Sequence, residues 1–125
     1  MRLLLDTDPL LWWLADDREL GLMGQAAIAD PANDVAISVA TIWEVETLRA
    51  DGRLEMPPEW LDLVAGPDFR TLTLTLEHAA LAAALPPHHD DPCDRFMIAQ
   101  AVLEGYAIVT RDPAFGRYAV PTMLA

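Results

Sequence analysis

Four acidic residues occupy positions where a carboxylate is costly unless it has a partner. Asp6 follows the apolar run Leu3–Leu5, and Asp112 follows a second apolar run near residue 110. Glu44 and Asp94 lie on apolar stripes of predicted helices. A carboxylate beside buried apolar side chains costs on the order of several kcal/mol unless it is paired or binds a metal ion. These residue types in these places favour a cation-binding site.

The pair Asp6 and Asp8 allows more than one interpretation. Pro9 suits the first turn of a helix, so Thr7 or Asp8 is expected to cap it, and capping is the expected role of Asp8. An Asp-x-Asp pair also resembles the start of haloacid-dehalogenase-type phosphatases, whose first aspartate is a covalent nucleophile. That family pattern requires a lysine, and all eight basic residues of this chain are arginine.

Short apolar runs alternate with helical patterns along the chain. The predicted strands end at Asp6 and cover residues 35–37, 70–74 and 107–110, with an edge strand possible from 119 onward. The predicted helices start at Pro9 and cover residues 25–29, 39–50, 59–64, 76–85 and 91–104. Ser38 and Thr75 suit helix starts, and Gly105 suits a helix end. This order predicts one α/β domain, residues 1–125, with a parallel sheet of four to five strands between two helical layers.

Helical spacing separates two glutamates of the second long helix pattern. Ala40, Glu44 and Leu48 recur every four residues, so Glu44 projects from an apolar stripe. Glu46 lies on another face and is expected to pair with Arg49 in solvent. Glu44 is therefore the functional candidate.

The last long helix carries a second such acid. Asp94 shares a face with Met97 and Ile98, which places its carboxylate at the open end of a core-facing stripe. Asp90 and Asp91 precede this helix, and we expect them to cap it.

The histidines and the cysteine are assigned lesser roles. His88 and His89 are neighbours in a loop, and adjacent residues seldom both point at one ion, so we do not expect them to be ligands. His78 has no second ligand at metal spacing and is expected at the surface or in packing. Cys93 is expected to be a packing residue.

Composition limits the class of protein. The formal charge of −12 repels nucleic acid unless bound cations or a basic partner invert the field locally. No apolar run is long enough to span a bilayer, and no signal peptide pattern precedes the first strand. A single cysteine fits a reducing compartment, so a cytoplasmic protein is expected.

A shared cation site would explain why four acidic residues occupy such unfavourable positions. In the predicted sheet, the strand ends at Asp6 and Asp112 open on the side where the helices of Glu44 and Asp94 begin. Two like charges about 4 Å apart repel by about 4 kcal/mol at the dielectric of a protein surface. Mg²⁺ or Mn²⁺ would remove this repulsion and support phosphodiester cleavage by activated water.

Four motifs in order resemble PIN-domain ribonucleases, in particular VapC-type toxins. They are Leu-Leu-Leu-Asp6-Thr, Ser38-Val-Ala-Thr-Ile-Trp-Glu44-Val, His89-Asp-Asp-Pro-Cys-Asp94-Arg95-Phe-Met-Ile-Ala-Gln-Ala and Ile-Val-Thr110-Arg-Asp112. The resemblance covers nearly the whole chain. Asp8 and Cys93 depart from it, because close relatives often have histidine at the first position and an aromatic residue at the second.

The resemblance implies a Mg²⁺- or Mn²⁺-dependent endoribonuclease with a PIN-like three-layer fold. It implies a homodimer inhibited by a small cognate VapB-type antitoxin, and RNA as substrate. By the same resemblance, Asp6, Glu44, Asp94 and Asp112 match the acidic set. Arg95 and Thr110 match positions near the substrate.

Two other functions stay open at this stage. A PIN-like interaction module without turnover is the main alternative, although the retained acids Glu44 and Asp94 speak against it. An aspartyl phosphatase is weakened by the missing lysine. The four tryptophans are expected in core or dimer packing; they are Trp12, Trp13, Trp43 and Trp60.

Overall fold

The computed structural model describes all residues 1–125 and contains one five-stranded sheet. The strands are β1 (Arg2–Leu5), β2 (Asp34–Ser38), β3 (Arg70–Leu72), β4 (Ala107–Thr110) and β5 (Thr122–Leu124). Every neighbouring pair is parallel, in the order β3-β2-β1-β4-β5. The first strand is therefore central, and its carboxyl end lies beside that of β4.

Six α-helices connect the strands. They are α1 (Thr7–Leu14), α2 (Leu22–Ala29), α3 (Val39–Ala50), α4 (Trp60–Val64), α5 (Leu76–Ala84) and α6 (Pro92–Glu104). A short 3-10 helix, Pro113–Arg117, follows β4. No helix has the length and hydropathy needed to cross a lipid bilayer.

The sheet has a separate hydrophobic core on each face. Side chains alternate along a strand, so Leu3 and Leu5 join one core while Leu4 joins the other. Buried residues of α1 to α4 pack with Leu3 and Leu5, and Met97 and Ile98 of α6 pack with Leu4. Helices cover both faces, which confirms the predicted three-layer α/β fold.

Local sequence signals place most helix boundaries correctly. Ser38 Oγ accepts a hydrogen bond from the Ala40 backbone N–H at 3.0 Å and starts α3. Thr75 and His78 form a reciprocal capping box at the start of α5. Gly105 ends α6 with a φ of 77°, a conformation that favours glycine.

One helix begins earlier than predicted. The sequence indicated a connection up to Gly24, whereas α2 starts at Leu22. Gly24 lies inside the helix and close to its neighbours: an added Cβ would come within 2.8 Å of Leu20 Cδ1 and 3.4 Å of the Ala125 carbonyl carbon. The prediction that the connection extends to Gly24 is therefore wrong.

The edges of the sheet and the tryptophans also differ from expectation. Strand β3 ends at Leu72 instead of residue 74, and the edge strand covers Thr122–Leu124 instead of starting at residue 119. Trp60 is buried as expected, but the Trp43 side chain is 64% exposed. Trp43 is therefore not a core residue, and dimer packing, the other role expected of the tryptophans, stays a prediction for it.

Candidate active site

Two acids lie at the carboxyl ends of adjacent strands and share one hydroxyl group. Asp6 follows β1, and Asp112 lies two residues beyond the end of β4. The Thr110 hydroxyl donates a hydrogen bond to Asp6 Oδ2 at 2.7 Å and accepts one from the Asp112 backbone N–H at 3.0 Å. Parallel pairing of β1 with β4 thus brings these two acids to one place.

Two helices supply the other predicted acids. Thr41 of α3 donates a hydrogen bond to Met97 Sδ of α6 at 3.3 Å, which joins the two helices. Glu44 and Asp94 each lie three residues from this contact, on the same helix faces as Thr41 and Met97. The side chain of Asp94 is only 13% exposed.

The four predicted acids line one open groove of about 520 Å³. The groove has nine lining residues, six of them acidic: Asp6, Thr7, Asp8, Trp12, Glu44, Asp91, Asp94, Arg111 and Asp112. Arg111 is the one basic residue of this acidic groove. The predicted gathering of residues 6, 44, 94 and 112 agrees with the structure, while their individual roles stay predictions.

Burial raises the pKa of Asp6 to about 6. Hydrogen bonds from Thr110 and the Thr7 backbone lower this pKa, whereas the charges of Asp8 and Glu44 raise it further. This carboxyl group therefore keeps its proton up to about pH 6 unless a cation takes the place of the proton.

The pKa of Asp94 is raised to about 7, first by burial and then by the charges of Asp6 and Asp91. The neighbouring His89 opposes this rise. Metal ions bind deprotonated carboxylates, so ion binding here would release protons.

The available ligand atoms fit a hard divalent cation. Carboxylate oxygens dominate the groove, and Mg²⁺ and Mn²⁺ prefer such ligands. Cys93 lies near Glu44 and Asp91, but burial raises the pKa of its thiol to about 12, with these charges adding to the rise. A protonated thiol is a poor ligand, which agrees with the expected packing role of Cys93.

The start of α1 differs from the prediction. Asp6 itself is the N-cap, because its Oδ1 accepts the Thr7 backbone N–H at 2.8 Å. The prediction that Thr7 or Asp8 caps this helix is therefore wrong. Asp8 lies exposed in the first turn and adds a carboxylate to the groove.

Capping of α6 agrees with expectation for one of the two predicted acids. Asp91 Oδ1 accepts hydrogen bonds from the backbone N–H groups of Cys93 and Asp94, at 2.8 and 3.2 Å. Asp90 is exposed and is not the cap.

The two histidines of the loop before α6 differ from each other. His88 is exposed and packs edge-on against Tyr118. His89 Nε2 lies 2.6 Å from Asp94 Oδ2 and 3.6 Å from Asp112 Oδ2, so it reaches two of the predicted acids. The sequence analysis did not predict that His89 contacts these acids. Its position five residues before Asp94 is the only sequence feature that could have indicated the contact.

Neither substrate-side candidate lines the groove. Arg95 donates hydrogen bonds to the backbone carbonyls of Leu85, Pro86 and His89, which hold the loop before α6. Thr110 is buried and binds Asp6 and Asp112, as described above. In the structure both side chains contact the protein itself, and their place near the substrate stays a prediction.

Comparison with known proteins decides the family. The model of the PIN domain family matches residues 3–121. This chain belongs to the PIN domain family. Ribonuclease VapC22 of Mycobacterium tuberculosis is 32% identical over 113 residues, which are 87% of this chain and 85% of that protein. The predicted resemblance to PIN-domain ribonucleases is thereby confirmed.

Solved structures share this PIN-domain fold. VapBC2 from Rickettsia felis, bound to a DNA fragment from their promoter, matches with a TM-score of 0.75 at 14% identity, covering 98% of both chains. FitAcB from Neisseria gonorrhoeae matches with a TM-score of 0.70 at 22% identity, covering 98% of this chain and 96% of that one. A toxin-antitoxin complex from Klebsiella pneumoniae matches with a TM-score of 0.69 at 23% identity, covering 97% and 95%.

Proposed function

We propose that this PIN domain is a divalent-metal-dependent endoribonuclease that acts as the toxin of a toxin-antitoxin pair. The observation that carries this proposal is the single groove that collects carboxylates from two strand ends and two helices. The raised pKa values of Asp6 and Asp94 support a cation in that groove. The relative named Ribonuclease VapC22 supports RNA as the substrate.

The acids divide the work of binding and orientation. Asp6 and Asp112 would hold the Mg²⁺ or Mn²⁺ ion as primary ligands, since the Thr110 hydroxyl links these two residues at adjacent strand ends. Glu44 and Asp94 complete the site or orient the attacking water. The chemistry that such an ion supplies when bound is activation of water and stabilisation of the leaving oxygen.

The interaction-module and phosphatase hypotheses fit less well. A domain without turnover has no need to keep costly buried acids, and Asp6 and Asp94 are such acids. A phosphatase of the haloacid-dehalogenase type needs a lysine beside the aspartyl nucleophile, and this chain contains none.

The proposed partners follow from charge and from the relatives. A net charge of −12 favours a basic partner, so the antitoxin supplies basic groups that cover the acidic surface. Solved relatives with this fold include toxin-antitoxin complexes, which supports a VapB-type antitoxin here. A homodimer and a cytoplasmic location complete the proposal.

Metal dependence of RNA cleavage tests the function. We expect purified protein, free of antitoxin, to cleave structured RNA with Mg²⁺ or Mn²⁺, to stop after chelation, and to recover when the ion is restored. Asp112→Asn removes a proposed ligand and is expected to abolish cleavage. Asp62→Asn changes the charge equally at an exposed residue of α4 and serves as the matched control.

Further measurements on the purified protein distinguish the nuclease from the interaction module and the phosphatase. Full cleavage in the presence of chelator, or by Asp112→Asn, would contradict the metal site. Absence of both cleavage and divalent-ion binding, measured by calorimetry, would favour the interaction module. A metallofluoride adduct trapped on Asp6 would favour the phosphatase.

A further inference from the structure

His89 reaches the acidic groove from the loop that precedes α6. Its Nε2 lies 2.6 Å from Asp94 Oδ2 and 3.6 Å from Asp112 Oδ2. The side chain is 18% exposed, and Nε2 itself is buried without a well-directed hydrogen bond. The two carboxylates are therefore the polar groups available to this nitrogen.

The other ring nitrogen indicates where the proton resides. His89 Nδ1 accepts a hydrogen bond from the Asp91 backbone N–H at 3.4 Å. A nitrogen that accepts a hydrogen bond carries no proton, so the proton of the neutral ring lies on Nε2. Nε2 then carries the ring N–H and lies 2.6 Å from Asp94 Oδ2, although this N–H does not point well at that oxygen.

The same contact disfavours His89 as a metal ligand through Nε2. A ligand nitrogen must present its lone pair, which would move the ring proton to Nδ1. The Nδ1–H group would then face the Asp91 N–H group, donor against donor. The contact at Nδ1 therefore favours the ring tautomer that has its proton on Nε2, the nitrogen nearest the two acids.

Several contacts hold the ring in this orientation. The ring packs edge-on against Phe115, with centroids 6.0 Å apart. The His89 carbonyl accepts a hydrogen bond from Arg95 Nη1 at 3.1 Å, and Arg95 also binds the carbonyls of Pro86 and Leu85. Arg95 thereby fixes the loop that carries the histidine.

We propose that His89 is a positioning residue that orients the carboxylates of Asp94 and Asp112 for the divalent ion. This inference rests on the proposed function. Outer residues that orient metal ligands contribute about 10–100-fold to metal affinity. Replacing His89 by an apolar residue is expected to weaken ion binding by about that factor.

The adjacent histidine provides a matched control. His89→Leu removes the donor, His89→Gln keeps an N–H donor on a side chain of similar reach, and His88→Leu makes the first change at the neighbouring exposed residue. In metal-free protein at one pH, we expect the Asp94 carboxyl ¹³C resonance to move in His89→Leu. In His88→Leu this resonance is expected to stay at its wild-type position. In His89→Gln it is expected to lie close to the wild-type position.

Binding of Mn²⁺ by calorimetry gives the second measurement. We expect about 10–100-fold weaker binding for His89→Leu, wild-type binding for His88→Leu, and substantial recovery for His89→Gln. Electron spin echo spectra of Mn²⁺-loaded wild type are expected to lack the ¹⁴N coupling of a coordinated imidazole. Denaturant unfolding of each variant shows that it is folded.

Three results would overturn the inference. They are an unchanged Asp94 resonance in His89→Leu, a coordinated nitrogen in the spin echo spectrum, or equal losses of Mn²⁺ affinity in His88→Leu and His89→Leu. Failure of wild type to bind Mn²⁺ would instead defeat the proposed function. The Asp94 resonance of the metal-free protein would still decide whether His89 holds that carboxylate.

Discussion

At the amino ends of the strands acids pair with bases, whereas at the carboxyl ends acids meet acids. Asp34 Oδ1 lies 3.1 Å from Arg70 Nε, and Asp34 Oδ2 lies 3.8 Å from Arg2 Nε. At the other end, Asp6 and Asp112 share the groove with further carboxylates. The acid at the amino end is paired with two arginines, whereas the groove at the carboxyl end has six acids and one arginine.

The ion pairs at the amino ends of the strands serve stability, whereas the acids at the carboxyl ends are the candidates for function. The ion pairs of Asp34 with Arg2 and Arg70 are partly exposed, so they contribute modestly to the free energy of unfolding, and their charges balance without a bound ion. In the groove, burial and neighbouring carboxylates destabilise the ionised forms of Asp6 and Asp94, and a bound cation would relieve this cost. Natural proteins depart from local electrostatic consistency mainly at functional sites, and this groove is such a departure.

The largest expected effect comes from neutralising the carboxyl end. Asp6→Asn removes a proposed primary ligand, and we expect RNA cleavage to fall about a thousandfold or more, equivalent to about 4 kcal/mol. The metal-free variant should be at least as stable at pH 8, because a raised-pKa carboxylate is gone. RNA cleavage assays measure the loss of activity, and urea unfolding measures the stability. Retained cleavage by Asp6→Asn would contradict the role of Asp6 as a metal ligand.

The pH dependence of stability provides the next test. The pKa of Asp6 is about 6 in the folded protein against 3.8 ordinarily, so the folded state holds more protons between these values. The free energy of unfolding of metal-free protein should therefore fall as pH rises from about 4 to 6, by about 3 kcal/mol from Asp6 alone. The raised pKa of Asp94 extends this fall toward pH 7.

Urea unfolding at a series of pH values measures this dependence. Mg²⁺ is expected to restore stability most at the upper end of the range, where the carboxylates are ionised. A stability that increases from pH 4 to 7 without metal would contradict the account of the groove.

A smaller effect is expected from the hydroxyl that joins the two strand ends. Thr110→Val removes the donor to Asp6 and the acceptor for the Asp112 N–H while keeping the shape. We expect about 10–100-fold weaker Mn²⁺ binding, with about 1–2 kcal/mol lost in unfolding free energy. Thr110→Ser keeps the hydroxyl and should bind Mn²⁺ nearly as well as wild type.

The smallest effect is expected at the amino end. Asp34→Asn breaks the pairs with Arg2 and Arg70 and should cost no more than about 1 kcal/mol in urea unfolding. RNA cleavage and Mn²⁺ affinity should not change, since Asp34 lies at the opposite end of β2 from the groove. A loss of cleavage comparable to that of Asp6→Asn would show that the two ends are not separable.

Features set by neighbouring residues were predictable from sequence. The apolar run ending at Asp6 predicts a buried strand with a carboxylate at its end, and the structure has both. Ser38 and Asp91 cap helices as their residue types indicate, since a side-chain oxygen needs only an N–H group two or three residues away. Such contacts depend little on the rest of the fold.

Contacts set by the path of a loop were not predictable. His89 reaches Asp94 because the chain turns between Pro86 and Asp91, a turn held by Arg95. Sequence spacing within a helix says nothing about such a turn. The cap of α1 was also missed: Asp6 was considered as a metal ligand or a nucleophile and not as a cap, yet its two oxygens accept hydrogen bonds from the Thr7 backbone and from Thr110.

The outer strands of the sheet bear on how copies of this protein can associate. Strands β3 and β5 each contain only three residues, Arg70–Leu72 and Thr122–Leu124. Exposed edges this short offer few free backbone groups, so edge-to-edge strand addition and fibril growth are unfavourable. A dimer of this PIN domain is therefore expected to form through helix surfaces, where single side chains such as Trp43 are open to substitution and crosslinking.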